Sequence, residues 1–271
     1  MQTYKKKILL LTGDLLKHQF VALNILKKFQ NAKIIFEKYP KETYKNYTKK
    51  NNRVISKHFE NVDKYENFFF LKTIKKNTDF IKKNTLATTL KGKLESKKLL
   101  NIIKKYSPEL IIINATSLIT EKLLSLSKNV INIHAGLMPY YRGSGCNVWT
   151  FFNQELEYTG VTIHFVDDQI DGGKIILQGV TKFCLNDNTH SVGCKNAILA
   201  SKLAIKSIAH MLKYPKYKGI KIRSKKTKIY YKKHFNHKTI EKINRLVKEG
   251  LVKNFIKKKI KKVKIISKLN I

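Results

Sequence analysis

Residues 7–36 read KILLLTGDLLKHQFVALNILKKFQNAKIIF. Lys7–Thr12 encloses an unbroken apolar run, Ile8-Leu9-Leu10-Leu11, the length of a strand covered on both faces. From Leu15 to Phe29 the apolar side chains Leu16, Phe20, Leu23, Ile25, Leu26 and Phe29 recur at helical spacing. Lys33–Phe36 carries a second short apolar run. Strand, helix and strand in that order form a βαβ unit, whose crossover leaves the two strands parallel. The fold class expected from this opening is α/β: a doubly wound, mostly parallel sheet with helices on both faces.

The alternation continues downstream. Glu95–Tyr106 has helical periodicity and stops at Ser107-Pro108. Leu110–Ile113 is a further strand, Asn114–Leu118 a turn and Ile119–Leu126 a short helix. Val130–His134 alternates apolar and polar, and Ala135–Gly145, with Pro139, Gly136, Gly143 and Gly145, is a loop. Asn147–Gln154 suits a helix, Val161–Val166 a strand opened by Gly160, and Lys174–Leu177 another strand. Asn188–Leu212 reads as one long helix capped by Asn188 or Thr189, with Ala197, Leu199, Ala200, Leu203, Ala204, Ile208 and Leu212 as its buried stripe.

Residues 38–92 are the least legible. Lysine-rich stretches surround an aromatic patch, Phe59–Phe70, and such interleaving can bind nucleic acid. The expectation is a helical excursion whose phenylalanines pack on the core. Beyond Lys216 the composition shifts to Lys, Ile and Tyr. Thr239–Ile256 is expected as one amphipathic helix and Lys257–Lys264 as a solvated charge run. Residues 1–213 are thus expected as the catalytic α/β domain, and 214–271 as a Lys-rich, partly helical C-terminal extension.

Lys+Arg total 56 against 18 Asp+Glu, a formal charge of +38. Only Arg53, Arg142, Arg223 and Arg245 are arginines. A dedicated phosphate reader exploits the planar fork of arginine, so the lysine excess reads as compositional bias. Nucleic acid is an open partner, but not the favoured one. Cys146, Cys184 and Cys194 have no metal-ligand spacing and suggest no disulfide framework. The apolar part of MQTYKKKILLL is too short for a signal peptide, and no run approaches the roughly 18 apolar residues of a membrane span. The expectation is a cytoplasmic protein without a membrane partner, its oligomeric state left open.

The chemistry concentrates between Asn132 and Gln178. On a strand, Asn132 and His134 share one face, because side chains alternate with period two. The strand opened by Gly160 ends in an acidic loop, Asp167-Asp168-Gln169-Ile170-Asp171-Gly172-Gly173. Acyl transfer between two nitrogens needs such a set. The attacking amine must lose a proton, and the carbonyl oxygen, as it gains charge, needs donors aimed at it. Asn132 can donate one hydrogen bond and a protonated His134 a second. Asp171 can hold that imidazole charged and accept the amine proton, directly or through water. Neither a nucleophilic side chain nor a metal is required. His164, inside the strand, reads as a structural histidine. Arg142 either binds an anion of the substrate or ties its loop down.

Two blocks, N-I-H-x-x-L-x-P-x-Y-R-G and G-V-T-I-H-F-V-D-D-x-x-D-G-G-x-I-I-x-Q, resemble the folate-dependent formyltransferases, which act on glycinamide ribonucleotide, methionyl-tRNA and nucleotide-linked sugars. With coarse topology included, the resemblance spans residues 5–213. It implies 10-formyltetrahydrofolate as co-substrate and Asn132, His134 and Asp171 as the catalytic set. It implies that Thr116, Ser117, Leu118 and Ile119, together with Val166, Asp167, Asp168, Gln169 and Ile170, line the folate pocket.

Glycinamide ribonucleotide enzymes carry a glycine-rich loop after the first strand that cradles the substrate phosphate. Here the link is Thr12-Gly13-Asp14-Leu15-Leu16-Lys17-His18, with one glycine. The tail shows no sign of the barrel appended to methionyl-tRNA enzymes. Three functions follow: an N-formyltransferase acting on a small amine acceptor (a nucleotide-linked amino sugar or a glycinamide-ribonucleotide-like compound); a methionyl-tRNA formyltransferase using the basic tail; and a non-catalytic basic RNA-binding protein on the same fold.

Overall fold

Strand β1 (Ile8–Gly13) is buried along its whole length, and its side chains divide between two cores. Ile8 and Leu10 pack on one face of the sheet with Val21, Leu26 and Ile208; Leu9 and Leu11 pack on the other with Leu99 and Ile103. That division explains the unbroken apolar run, since neither face meets water. Full burial of one such side chain stabilises by about 1.5–3 kcal/mol. The structure is a computed structural model and describes residues 6–39, 53–224, 226–258 and 263–269.

Helix α1 (Leu16–Lys28) returns the chain to β2 (Ala32–Lys38), which pairs with β1 in parallel as the opening stretch predicts. Helix α2 (Arg53–Glu66) runs through a π-helical turn, Asn67–Leu71, into two short helices, α3 (Lys72–Lys76) and α4 (Thr78–Lys83). Phe70 is buried in the core, whereas Phe68 is exposed. The expected excursion is therefore helical, with one addition: β3 (Thr85–Leu90) pairs with β2 at the sheet edge. Its threonine-rich, half-exposed sequence gives the weak apolar pattern of an edge strand. Part of the lysine-rich stretch falls at residues 40–52, outside the described residues.

Helix α5 (Lys97–Tyr106), β4 (Leu110–Asn114), the short α6 (Glu121–Leu124) and β5 (Val130–His134) follow. After the 135–145 segment come α7 (Cys146–Phe152), β7 (Gly160–Phe165) and β8 (Ile175–Val180). The sheet order is β3-β2-β1-β4-β5-β7-β8, parallel from β3 to β5, with β7 antiparallel to both neighbours. Helix α8 (Thr189–Lys213) packs on α1 across one face. Its cap is Asn188, whose side chain accepts from His190 N and Ser191 N.

The tail folds back onto this sheet. Ile220 exchanges backbone hydrogen bonds with Ile175 at 2.7 and 2.8 Å. Strand β9 (Lys228–Tyr230) pairs in parallel with β6 (Tyr141–Gly143), a small sheet for which the sequence gives no apolar alternation. The single helix expected over Thr239–Ile256 is two, α9 (His237–Lys248) and α10 (Leu251–Lys257), parted by Gly250 at φ 89°. A left-handed glycine is the usual helix stop, and the apolar periodicity runs across it unaltered. Of the Lys257–Lys264 run, residues 259–262 lie outside the described residues. Among the described residues no helix is long and apolar enough to cross a membrane.

Candidate active site

Ile131 and Ile133 point into the core, which turns Asn132 and His134 to the opposite face of β5. There they meet Asp171. The Asn132 amide donates to Asp171 Oδ1 at 3.0 Å, and His134 Nδ1 lies 3.2 Å from Asp171 Oδ2. Gly143 N donates to Asp171 Oδ2 at 2.8 Å. Asp171 adopts φ 44°, a left-handed conformation that aspartate tolerates better than most residues. The glycine after next is obligatory: a Cβ on Gly173 would lie 1.7 Å from Phe165 O. Asp-Gly-Gly is the sequence form of a loop that crosses a strand end at backbone contact.

His164 stands directly across the ladder from Asn132. Its Nε2 lies 3.2 Å from the Asn132 amide and 3.5 Å from Asp171 Oδ1. His164 Nδ1 is 2.8 Å from Phe165 O, and Nε2 faces both the Asn132 amide and the Asp171 carboxylate. The histidine expected as structural thus touches the candidate site. The residue is next to last on β7, and the antiparallel register, which sequence spacing does not reveal, brings it opposite Asn132.

Burial alone would raise the Asp171 carboxyl. His134, His164 and the Gly143 N–H outweigh it and hold the group well below the usual carboxylate range. Burial pulls the His134 imidazole below the ordinary histidine value, and Asp171 opposes the shift without cancelling it. His134 Nε2 is 3.0 Å from Tyr141 O and 3.6 Å from Cys146 Sγ. Burial pushes the Cys146 thiol well above its ordinary value, so it is a packed thiol rather than a nucleophile. The arrangement offers a permanent carboxylate, a neutral imidazole able to take a proton and an amide donor.

The family profile described as Formyl transferase matches residues 7–208. The chain belongs to the formyl transferase family. A methionyl-tRNA formyltransferase from Desulforamulus reducens is 39% identical over 112 residues, which are 41% of this chain and 35% of that protein. The matched segment thus spans about a third of that relative's length. The solved structure of a sugar N-formyltransferase from Shewanella sp. superposes with a TM-score of 0.55 at 18% identity, covering 84% of this chain and 78% of that one. An N-formyltransferase from Helicobacter canadensis, crystallised with folinic acid and dTDP-3-aminofucose, superposes at 0.52 and 16% identity, covering 84% and 72%.

The remaining predicted residues, Arg142 of β6 apart, fall on the loops that follow β4 and β7. Ser117 N donates to the buried Glu37 Oε2 at 2.6 Å, and Ser117 Oγ accepts from Gly92 N at 2.9 Å. Thr116 bonds locally to Ser117 O, and Ile119 packs on the core beneath. Val166 packs there too, with its N–H on Val130 O at 2.9 Å. Asp167 Oδ1 accepts from Gln169 N at 3.1 Å; Asp168 and Gln169 are exposed. Leu118, 84% exposed, and Ile170, 36% exposed, are apolar side chains without cover. Arg142 donates from Nε to Ile170 O at 2.7 Å and from Nη2 to the same oxygen, so it ties down the Asp171 loop.

Sequence reasoning missed the contribution of the tail. Tyr230 stacks on Trp149 at 4.3 Å and 8°, and its hydroxyl accepts from Asn153 at 2.8 Å. Ser144 N donates to Tyr230 O at 2.8 Å. Strand β6, with Gly143 at its end, is therefore held between the tail strand and the Asp171 carboxylate. The signal available was Gly143 itself, at φ 86°, where a Cβ would lie 2.0 Å from Tyr230 O.

Proposed function

We propose that the protein is a 10-formyltetrahydrofolate-dependent N-formyltransferase acting on the primary amine of a small acceptor, either a nucleotide-linked amino sugar or a glycinamide-ribonucleotide-like compound. The observation that carries the reading is the meeting of Asn132, His134 and Asp171 at the C-terminal end of β5. In this reading residues 1–213 are the catalytic unit and 214–271 an extension folded onto it.

The folate co-substrate would bring the formyl group on N10, the exocyclic nitrogen that joins its pterin and benzoate rings. Thr116–Ile119 and Val166–Ile170 would hold it, and exposed Leu118 and Ile170 suit a flat aromatic face. Asn132 trades one of its two amide contacts for the formyl oxygen as that oxygen gains charge. Asp171 and His134 together take the proton of the attacking amine. Because burial keeps His134 neutral beforehand, the proton it gains makes an imidazolium next to the new negative charge. The same proton then serves the departing nitrogen.

Among acceptors, one feature weighs against glycinamide ribonucleotide. The N-terminus of α1 already holds an anion: Glu66 accepts from Lys17 N at 3.3 Å and pairs with Lys17 Nζ at 3.0 Å. His18 packs against Gly13, and burial, with Lys17 and Lys91 nearby, pushes its pKa well down, leaving it uncharged. A phosphate at this helix end would meet a carboxylate.

A second reading, methionyl-tRNA as acceptor, is favoured by the 39% identity of the site-bearing segment to such an enzyme and by the formal charge of +38. The deciding experiment is formyl transfer from 10-formyltetrahydrofolate to amino-sugar nucleotides, glycinamide ribonucleotide and methionyl-tRNA. A tRNA-dependent turnover that falls about 10³-fold or more from 50 to 200 mM salt would establish the second reading. No turnover with any acceptor, together with no folinic acid binding, would refute both.

A further inference from the structure

The tail reaches the catalytic carboxylate from outside the family match, and it brings arginine. A cavity of about 190 Å³ opens beside Asp171 and is lined by Arg142 and Gly172 on one side and by Lys221, Arg223 and Thr227 on the other. The family profile ends at residue 208, so the second wall lies outside the matched segment. We propose that Arg223, backed by Arg142 and Lys221, binds a phosphoryl group of a small phosphorylated amine acceptor. The proposal deepens the formyl-transfer reading and rests on it.

Four observations carry it. First, composition makes arginine informative. Lysine is the default cation of this chain, yet two of its four arginines line this one small cavity. Arginine offers a planar fork that matches a phosphoryl group, where lysine offers a point charge. Second, the three cations differ in how far they are committed. Arg142 spends Nε and Nη2 on Ile170 O. Lys221 donates to Gly172 O and lies 3.8 Å from Asp167. Among the described residues Arg223 makes no hydrogen bond or ion pair through its guanidinium, although it is exposed at the cavity.

Third, the segment is fixed rather than draped. Ile220 is locked to Ile175 by two backbone hydrogen bonds, and Lys228 N donates to Tyr140 O at 2.8 Å. A binding group carried on such a segment loses little entropy on capture. Fourth, the cavity is dipolar. A carboxylate lies at one wall and a free guanidinium at the other, complementary to a ligand that carries an ammonium group and a phosphate. Whole-ligand pockets run about 300–1,000 Å³, so this smaller cavity takes one part of the acceptor, with the remainder in solvent. It also supplies the anion-binding function that Glu66 denies to the α1 N-terminus.

The test is equilibrium titration of the full-length protein with inorganic pyrophosphate, and separately with folinic acid, at physiological ionic strength. Pyrophosphate is expected to bind saturably, and Arg223→Gln to weaken it about tenfold or more, the loss of one charged hydrogen-bond set. Lys202→Gln, a surface change on α8, is expected to leave it within about twofold, and neither substitution is expected to alter folinic acid binding. The proposal is overturned if Arg223→Gln binds pyrophosphate like the wild type, or if Arg53→Gln, in the separate cavity beside α2, abolishes binding instead. It is also overturned if an RNA duplex binds in an Arg223-dependent way while pyrophosphate does not. Arg223-dependent pyrophosphate binding without folinic acid binding would support the subsite and refute the formyl-transfer reading alone.

Discussion

Asn132 and His164 are direct partners across the β5–β7 ladder, and the amide of one reaches the ring of the other at 3.2 Å. The Asn132 amide nitrogen lies against two groups at once, His164 Nε2 and Asp171 Oδ1. The amide is thus oriented nitrogen-first toward the carboxylate before any substrate arrives.

The first prediction concerns that oriented amide. Asn132→Ala removes the donor proposed for the formyl oxygen, and kcat is expected to fall by about 10²–10³. Asp171→Asn keeps the shape and removes the charge, so kcat should fall far more than folinic acid affinity. Combined with His134→Ala the losses should be strongly non-additive, because the groups act as a unit. Steady-state formyl transfer and equilibrium folinic acid binding measure the two quantities. Near-wild-type kcat in Asp171→Asn would contradict the assignment.

His164 acts, in this arrangement, by positioning. His164→Ala removes one of the two groups against the Asn132 amide nitrogen and should lower kcat by about tenfold, the worth of one ordering hydrogen bond. His164→Gln, which restores a polar group, should recover part of the loss while KM for folate stays level. A loss in His164→Ala equal to that in Asn132→Ala, with no rescue by glutamine, would place His164 in the chemistry itself.

Gly143 joins the tail to the Asp171 carboxylate. Gly143→Ala must bring a Cβ within 2.0 Å of Tyr230 O and adopt φ 86°, so β9 should separate from β6. The Asp171 carboxylate then loses the Gly143 N–H, one of the groups that hold its pKa down, and its pKa should rise. The expected result is a large fall in kcat with a lower melting temperature. Tyr230→Ala removes the stacks on Trp149 and Tyr141, each worth about 0.5–1.5 kcal/mol, and the acceptor of the Asn153 amide, but leaves the backbone pairing with Gly143, and should produce a milder form of the same loss. Equal kcat in Tyr230→Ala and wild type would show that the tail strand does not tune the site.

A histidine pair outside this site is expected to contribute to acid sensitivity. His58 Nδ1 and His190 Nε2 lie 3.1 Å apart. Burial, then His190 and Lys17, lowers His58 from 6.5 to about 3. Burial and Lys17 bring His190 down to about 4, against a hydrogen bond with His58 that raises it. Both folded values lie below the unfolded one, so the unfolded chain binds more protons at intermediate pH. Their contribution is complete above about 6.5 and is lost as pH falls toward 4 and then 3. The double variant His58→Gln/His190→Gln should lose less stability than wild type over that range, measured by urea unfolding. Identical pH slopes would exclude the pair as the cause.

The fold was legible where burial on both faces writes itself as an unbroken apolar run, as at Ile8–Leu11 and Leu110–Ile113. Asn132, His134 and Asp171 were legible because a strand periodicity of two and an obligate Gly-Gly leave marks in sequence. What escaped depends on pairing between distant segments. The β3 edge strand has little apolar alternation; His164 becomes part of the site only through register; β9 joins β6 by backbone bonds that name no side chain. The helix break at Gly250 escaped because apolar spacing carries on through it. Arg142 was left between two roles, and the geometry shows it bonded to Ile170 O.

The pairing of Tyr141–Gly143 with Lys228–Tyr230 sets a timetable for synthesis. A ribosome that has translated Asp171 has delivered all three of Asn132, His134 and Asp171, yet the strand that clamps Gly143 is still some fifty-seven codons away, since 228 lies 57 positions beyond 171. The nascent chain therefore gains a mature carboxylate environment only after the segment through Tyr230 has emerged. The setting of Asp171 is thus completed by a strand that the ribosome supplies long after Asp171 itself.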